Sequence, residues 1–375
     1  MALEFYFRVD ASSKIGLGHL YRCLTLASFA LEQGIKSHFI CREHRDYNYK
    51  LVTHSGFQLH LLPSGNVTQL SDSIGTKNIY QDWLGVSPIT DAEQVCKIIG
   101  ESKKNQKVII YDHYGIDSQW EQKVKITEAF LLKVSDKPSE KTLADIVLDQ
   151  TLSRKKSEYE ELIHSRAYVF SGTSYALISK KFTGLRKETL RLKMHTTQVK
   201  TALVAFGGSD PINLTSTFLS QISSYPKNIK YDVVCGSCNP HIHQVENILS
   251  DLTIKGIEVK LHIDTKEMAK LTASADIAIG SAGSACWERA VLGLPSIIVP
   301  FENNQLDVAR ALIENEAAHV IYLDEFKSEI ITAMHLLTNS IELRKTLSYN
   351  SSRLCDGDGA NRLLIKLKEI LNEKL

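Results

Sequence analysis

The feature that most constrains this chain is a unit that occurs near its start and again past its middle. Glu4 to Val9 is a short run of apolar, β-branched and aromatic residues, and Asp10 to Gly18 is small and glycine-bearing. Apolar residues then recur at Leu20, Cys23, Leu24, Ala27 and Leu31, up to Gly34. That is a strand, a glycine loop and a helix with a glycine stop. Ser37 to Cys41, Phe57 to Leu62 and Val108 to Tyr111 read as further strands. Strands that alternate with helices imply a parallel sheet covered on both faces.

The same grammar restarts at Thr201 to Phe206, a strand followed by the tight loop Gly207, Gly208, Ser209, Asp210. Pro211 stands where a first-turn proline is welcome, with Asp210 or Ser209 as the cap. Asp276 to Gly280 reads as a strand, Ser281 to Ser284 as a small-residue loop and Cys286 to Leu292 as a helix that stops at Gly293. Ser296 to Pro300 is one more strand. The polar, basic stretch between the halves lacks an apolar period. The expected organisation is an N-terminal domain over 1–185, a linker over 186–199 and a C-terminal domain over 200–375 that keeps the terminal helix, Ala360 to Leu371. The fold class is α/β, two Rossmann-like domains facing across a cleft, with ligands beyond the carboxyl ends of the strands.

Composition narrows the function classes. The 44 Lys and Arg residues against 43 Asp and Glu leave a formal net charge of +1, which supplies no electrostatic footprint for nucleic acid. The basic stretches Ser102 to Lys107 and Arg154 to Ser157 read as solvated surface. Nothing approaches the roughly 18 consecutive apolar residues of a membrane span, and Glu4, Arg8 and Asp10 interrupt any signal-peptide pattern at the start. Seven cysteines without regular spacing fit a reducing cytosol, so a cytoplasmic location is expected. Cys235 to Cys238 is a lone CxxC and reads as a turn.

Four segments carry candidate chemistry. In the first, Asp10, Gly16, Gly18 and Arg22 flank a glycine turn into a helix whose free N–H groups and dipole welcome a diphosphate or a sugar hydroxyl. Gly16 and Gly18 lack the third glycine of a dinucleotide fingerprint. His19, in the first helical turn, sits where the dipole disfavours imidazolium, as a general base requires, and equally where a packed or capping histidine would sit. In the second, Asp112 follows a buried strand and can orient a histidine or a water, while Tyr114 can donate to a sugar oxygen; the plainer alternative is a turn capped by Asp112 and Asp117. In the third, Gly207, Gly208, Ser209 and Asp210 can hold a phosphate on backbone amides. In the fourth, Gly283 and Ser284 precede Glu288, whose carboxylate suits a ribose diol, and Asn304 and Gln305 offer amides. His241 with His243 has a metal-like look but no third ligand nearby, and Asp356 with Asp358 reads as the turn and cap of the terminal helix, so no metal is expected.

Taken together, FRVDASSKIGLGHLYRCLTLA, YDHYGIDSQWE, the SGTSYALI run, VAFGGSDPINLT, GSAGSACWERAVLGLPSIIVPFENNQ and CDGDGANR resemble the UDP-2,4-diacetamido-2,4,6-trideoxy-β-L-altropyranose hydrolases of pseudaminic acid biosynthesis. The match runs in order along nearly the whole chain. Its glycine-rich C-terminal motifs are shared with the UDP-GlcNAc transferase of peptidoglycan synthesis. The resemblance implies a GT-B fold and a cofactor-free, metal-independent attack of water on the anomeric carbon. Inversion would release UDP and free 2,4-diacetamido-2,4,6-trideoxy-L-altrose. It puts the catalytic base on His19, a tyrosine beside that base on Tyr114, the nucleotide-contacting glutamate on Glu288 and the Asn-Gln pair on Asn304 and Gln305. Extra polar residues around Asn66 to Gln94 and Thr183 to Val199 depart from the pattern.

Two other functions fit the same residues. An inverting glycosyltransferase would use the same base on an acceptor hydroxyl, and a nucleotide-sugar binding protein would need no base at all. The expected partner is a UDP-sugar, with no nucleic acid and no membrane, and the expected state is a monomer.

Overall fold

The computed structural model describes residues 2–65, 80–100, 105–136, 138–222, 225 and 228–373. The chain divides into two compact units, Met1–Leu177 with Ala360–Leu375, and Ile178–Gly359. Residues 66–79 of the unassigned polar segment, and 101–104 at the basic stretch before Lys107, lie outside the described residues.

In the first unit the chain runs β1 (Leu3–Val9), α1 (Gly18–Glu32), β2 (Lys36–Arg42), α2 (Lys50–His54), β3 (Gln58–Leu62), α3 (Gln81–Leu84), α4 (Pro88–Gly100), β4 (Gln106–Asp112), α5 (Ser118–Val124), β5 (Phe130–Val134), β6 (Ile146–Asp149) and β7 (Tyr168–Ser171). Among the described residues the strands form one parallel sheet in the order β3-β2-β1-β4-β5-β6-β7. Alternation along each strand feeds two cores. Phe5, Phe7 and Val9 pack with Leu20, Leu24 and Ala27 of α1, whereas Tyr6, Ile109 and Tyr111 meet Val95, Ile99 and Trp120 of α4 and α5.

The second unit continues with α6 (Lys180–His195), β8 (Thr201–Ala205), α7 (Leu214–Gln221), β9 (Lys230–Cys235), α8 (Ile242–Ile254), β10 (Val259–Ile263), α9 (Met268–Ser274), β11 (Ile277–Ser281), α10 (Ala285–Val291), β12 (Ser296–Val299), α11 (Asn303–Glu314), β13 (His319–Val320), α12 (Phe326–Asn339) and α13 (Ile341–Leu354). Its sheet has the order β10-β9-β8-β11-β12-β13. Both sheets therefore start in the middle, wind to one edge and return to wind to the other, the order of the Rossmann fold. The reversal creates a switch point between β1 and β4 in one unit and between β8 and β11 in the other. Register makes these ends level: Val9 lies beside Asp112, and Gly280 beside Ala205.

Two boundaries differ from those read in the sequence. The stretch expected as a linker over 186–199 is largely α6, which belongs to the second unit. Its apolar period is weak because it is held by cations on helix ends. Arg186 donates to the Val291 carbonyl and, at 2.7 Å, to that of Ser352, and Lys193 donates to the Ala275 carbonyl at 2.5 Å. Such bonds satisfy carbonyls that helices leave unpaired at their C-termini. The terminal helix, α14 (Gly359–Glu373), packs with the first unit and not with the domain that precedes it. Its stripe of Leu363, Leu364, Leu367, Ile370 and Leu371 is buried in the core that contains β1 and α1.

Candidate functional site

At the first switch point the loop from β1 to α1 folds back on itself. Gly16 donates its amide to the Ser12 carbonyl at 2.8 Å and takes φ +78°, a conformation that only glycine adopts without strain. Gly18 is simply the first residue of α1. No side chain caps this helix and no acid lies in its first turn.

His19 leaves that turn with its Nδ1 2.5 Å from Asp112 Oδ1, at the end of β4. Arg22, one turn further along α1, donates its Nε to the other oxygen of Asp112 and its Nη2 to Oδ1 at 2.6 Å. The same guanidinium reaches Asp136 through Nη1 at 2.7 Å. Tyr114 hydroxyl donates to Asp136, and its ring meets the His19 ring edge-on, with centroids 4.8 Å apart. Trp83 and Tyr80 continue this aromatic series beyond Tyr114, at 5.9 and 5.1 Å from it. Burial opposes ionisation of Asp112, yet Arg22 and His19 hold its carboxyl well below the usual carboxylate range. In the neutral imidazole, Nδ1–H donating to this fixed carboxylate leaves the Nε2 lone pair as the proton acceptor.

Sequence and structure part company at Asp10. This residue, expected to touch substrate, is fully buried. It accepts from Arg8 at 2.6 and 2.9 Å and from the Arg42 amide at 2.7 Å. Burial would raise its carboxyl, but the Arg8 charge and the adjacent imidazoles of His113 and His44 hold it well below the usual range. His113 takes the Gly115 amide on Nδ1 at 3.0 Å and so faces Asp10 with a protonated Nε2, 3.2 Å from Oδ2. Asp10 and His113 thus lash the β1 and β4 ends together. Asp91 of α4 joins the same buried network through Arg8, Arg42 and the Trp120 indole. That finding gives a role to part of the unassigned polar segment. Arg22 is likewise engaged by two carboxylates and orients the site; it does not present a free fork to phosphate.

Asp136 was missed. It follows a buried strand, Phe130–Val134, as Asp112 follows β4, and that repeat of one pattern is the signal that could have found it.

In the second unit, Gly207 turns with φ +103°, and the Gly236 amide donates to the Gly208 carbonyl at 2.9 Å, so the Cys235 to Cys238 turn packs on this loop. Gly208 and Ser209 are half-buried. Asp210 is turned inward and accepts the Leu214 and Thr215 amides at 2.9 and 2.8 Å. It holds first-turn amides of α7, which begins at Leu214, beyond Pro211, with Asn213 and not Asp210 or Ser209 as its N-cap, and it cannot also face a phosphate. Gln305 is buried and accepts the Phe301 amide at 3.2 Å, closing the turn after β12, while Asn304 is exposed in the first turn of α11. Gly283 and Ser284 lie at the end of β11 with Ser284 exposed. Glu288 projects from α10 half-buried. Burial pushes its carboxyl up to about 7, against the pull of Arg289. An open groove of about 760 Å³ lies at the opposite, amino ends of β8 and β9, between Thr201, Asn228 and Lys230, and touches none of the expected residues.

The fold and a family match define the class. Residues 202–359 match the glycosyltransferase family 28 C-terminal domain. MurG of Acinetobacter baumannii superposes with a TM-score of 0.64 over 98% of this chain and 100% of its own, at 11% identity. The chain therefore has the GT-B fold, and residues 202–359 are similar to the family 28 C-terminal domain. Among proteins of known sequence it is similar to the UDP-2,4-diacetamido-2,4,6-trideoxy-β-L-altropyranose hydrolase of Campylobacter jejuni. The two are 25% identical over 307 residues, 82% of this chain and 95% of the relative. The resemblance read from the motifs is thus borne out. An uncharacterized protein of Methanocaldococcus jannaschii, MJ1062, is 25% identical over 298 residues, 78% of this chain, but the match spans about half of its length, 54%.

Proposed function

We propose that the protein is an enzyme acting on a UDP-sugar, and that the reaction is hydrolysis of a UDP-diacetamido-trideoxy sugar at C1. The observation that carries this reading is the His19–Asp112 pair at 2.5 Å, set at a switch point and backed by Arg22, Tyr114 and Asp136. His19 Nε2 takes a proton from water as the water oxygen bonds to C1. The C1–O bond breaks, its electron pair leaves with UDP, and the sugar inverts. Asp112 stabilises the imidazolium that forms. A glycosidase with an alkoxide leaving group needs a carboxylic acid to protonate it, whereas UDP leaves without that help. One base and a nucleotide grip therefore suffice, which is why no metal or cofactor enters the proposal. The nucleotide falls to the second unit, with the Gly207 to Ser209 and Ser281 to Ser284 loops toward the diphosphate and Glu288 toward the ribose diol.

Incubation with the UDP-sugar alone, followed by NMR of the anomeric signal, is expected to give free UDP and an inverted sugar. In heavy-oxygen water the label should enter the sugar; label in phosphate would mean P–O cleavage and would end this mechanism. The rival, an inverting glycosyltransferase of the GT-B type, is favoured by the family 28 match of the second unit. Turnover that waits for an acceptor hydroxyl would establish it.

Glu288 adds a pH dependence. A vicinal diol donates to a carboxylate and not to the protonated acid, so binding selects the ionised form. With the carboxyl near 7, affinity for an intact UDP-sugar should rise by about tenfold between pH 6 and 8. Glu288→Gln should flatten the profile. Calorimetry in the His19→Ala background, where the sugar nucleotide is not consumed, checks this, and an intact UDP-sugar avoids the phosphate monoester, which titrates at about pH 6.

A further inference from the structure

Next to Glu288 in α10 stands an arginine that no step above uses. Arg289 is 2% exposed. Its Nη2 donates to the Ser281 carbonyl at 2.6 Å and approaches Cys286 Sγ at 3.2 Å. Among the described residues its Nε and Nη1 have no hydrogen-bond partner and no carboxylate forms an ion pair with it. Every other buried arginine of comparable depth has matched charges or carbonyls: Arg8 and Arg42 share Asp91, and Arg344 is spread over three carbonyls.

The place of this charge is specific. A Cβ on Gly280 would lie 3.1 Å from Arg289 Nη1 and 2.3 Å from the Ala205 carbonyl, so the guanidinium sits against the backbone where β11 meets β8. That is the switch point of the second unit. A peptide unit is planar and trans, so its C=O and the next N–H point in opposite directions. With the Ser281 carbonyl held toward Arg289, the Ala282 N–H is aimed away from it. The arginine therefore fixes the loop's amide direction and places behind it a positive charge that no ion pair holds. A buried cation without an ion-pair partner is costly to a fold, and a bound anion would relieve that cost.

We propose that Arg289 is the fixed countercharge for the diphosphate of a nucleoside diphosphate, acting from behind the Ser281 to Ser284 loop as a positioning residue. The inference rests on the reading of the second unit as the nucleotide-binding half. The full chain is titrated with UDP and with uridine, which shares the base and ribose but carries no phosphate. Arg289→Gln keeps a donor for the Ser281 carbonyl and removes the charge; Arg289→Lys keeps the charge and loses the planar fork.

UDP affinity is expected to fall by about tenfold or more in Arg289→Gln, the scale of one charge acting at short range in a partly desolvated site. Uridine affinity should hold within about twofold, and Arg289→Lys should retain most of the UDP affinity. The UDP affinity of Arg289→Gln should also depend less steeply on salt than that of the unaltered protein. Parallel loss of UDP and uridine in Arg289→Gln, or equal damage by Lys and Gln, would assign Arg289 to scaffolding and overturn the proposal. Unchanged UDP binding in Arg289→Gln would overturn it too. If the unaltered protein bound uridine but gained nothing from the diphosphate, only this inference would fall. If it bound neither ligand, the nucleotide reading would fall with it.

Discussion

Replacing His19 by alanine is expected to lower kcat by about 10²–10⁴-fold, the usual contribution of a positioned general base. UDP binding should stay within about twofold, because every residue assigned to the nucleotide belongs to the other unit. Single-turnover cleavage and calorimetry with UDP measure the two quantities separately. A variant that loses UDP affinity in step with turnover would show that His19 serves binding or packing. One that keeps normal turnover would remove it from the reaction. Charge makes His19→Asn the stricter comparison, since the amide preserves a polar group of similar reach without the ability to take a proton at neutral pH.

Asp112→Asn is expected to have the second largest effect, and on two observables. The carboxylate accepts three hydrogen bonds in one place, one from His19 and two from Arg22. An amide has one acceptor oxygen and a donor NH₂. If the oxygen stays on Arg22, the NH₂ faces His19 and pulls its proton to Nε2, the nitrogen that must be bare. Turnover should then fall by about 10²–10⁴-fold with the histidine still present, the consequence of the wrong tautomer. Stability should fall as well, by about 3 kcal/mol, because removing one member of a buried ion pair leaves the other uncompensated. Asp136 still holds the far side of Arg22, which keeps the loss at the lower end of that range. Denaturant titration reads the stability, and kinetics well below the denaturation midpoint read the chemistry. Normal kcat in a correctly folded Asp112→Asn protein would dissociate the carboxylate from the base.

Each residue that the sequence made conspicuous owes this to a local cause. His19 and Asp112 stand at strand and helix boundaries that glycines and buried runs mark clearly. Both fall at switch points because the units wind as Rossmann sheets do. Glu288 is found the same way, one turn into the helix that follows β11. Where the local cause was ambiguous, the reading went astray. Asp10 and Asp210 are acidic residues just past strands, which is equally the place for a ligand contact and for a cap or anchor. Gln305 follows a strand and closes its own turn instead of reaching outward.

What the amino-acid order determined by itself is the alternation of buried strands and amphipathic helices, hence two parallel α/β halves, and the positions of the turns between them. Those are set by interactions within a few residues: periodic burial, glycine at positive φ and helix caps. Which turns meet was decided only in three dimensions. Arg22 joins Asp112 to Asp136 because β4 and β5 are neighbours in the sheet, and Asp91 secures Arg8 because α4 packs across β1. The last helix returns to the first unit because its leucine stripe finds the core there. Such pairings depend on strand order and on which apolar face covers which sheet, and a long-range contact leaves no periodicity along the chain from which to read it.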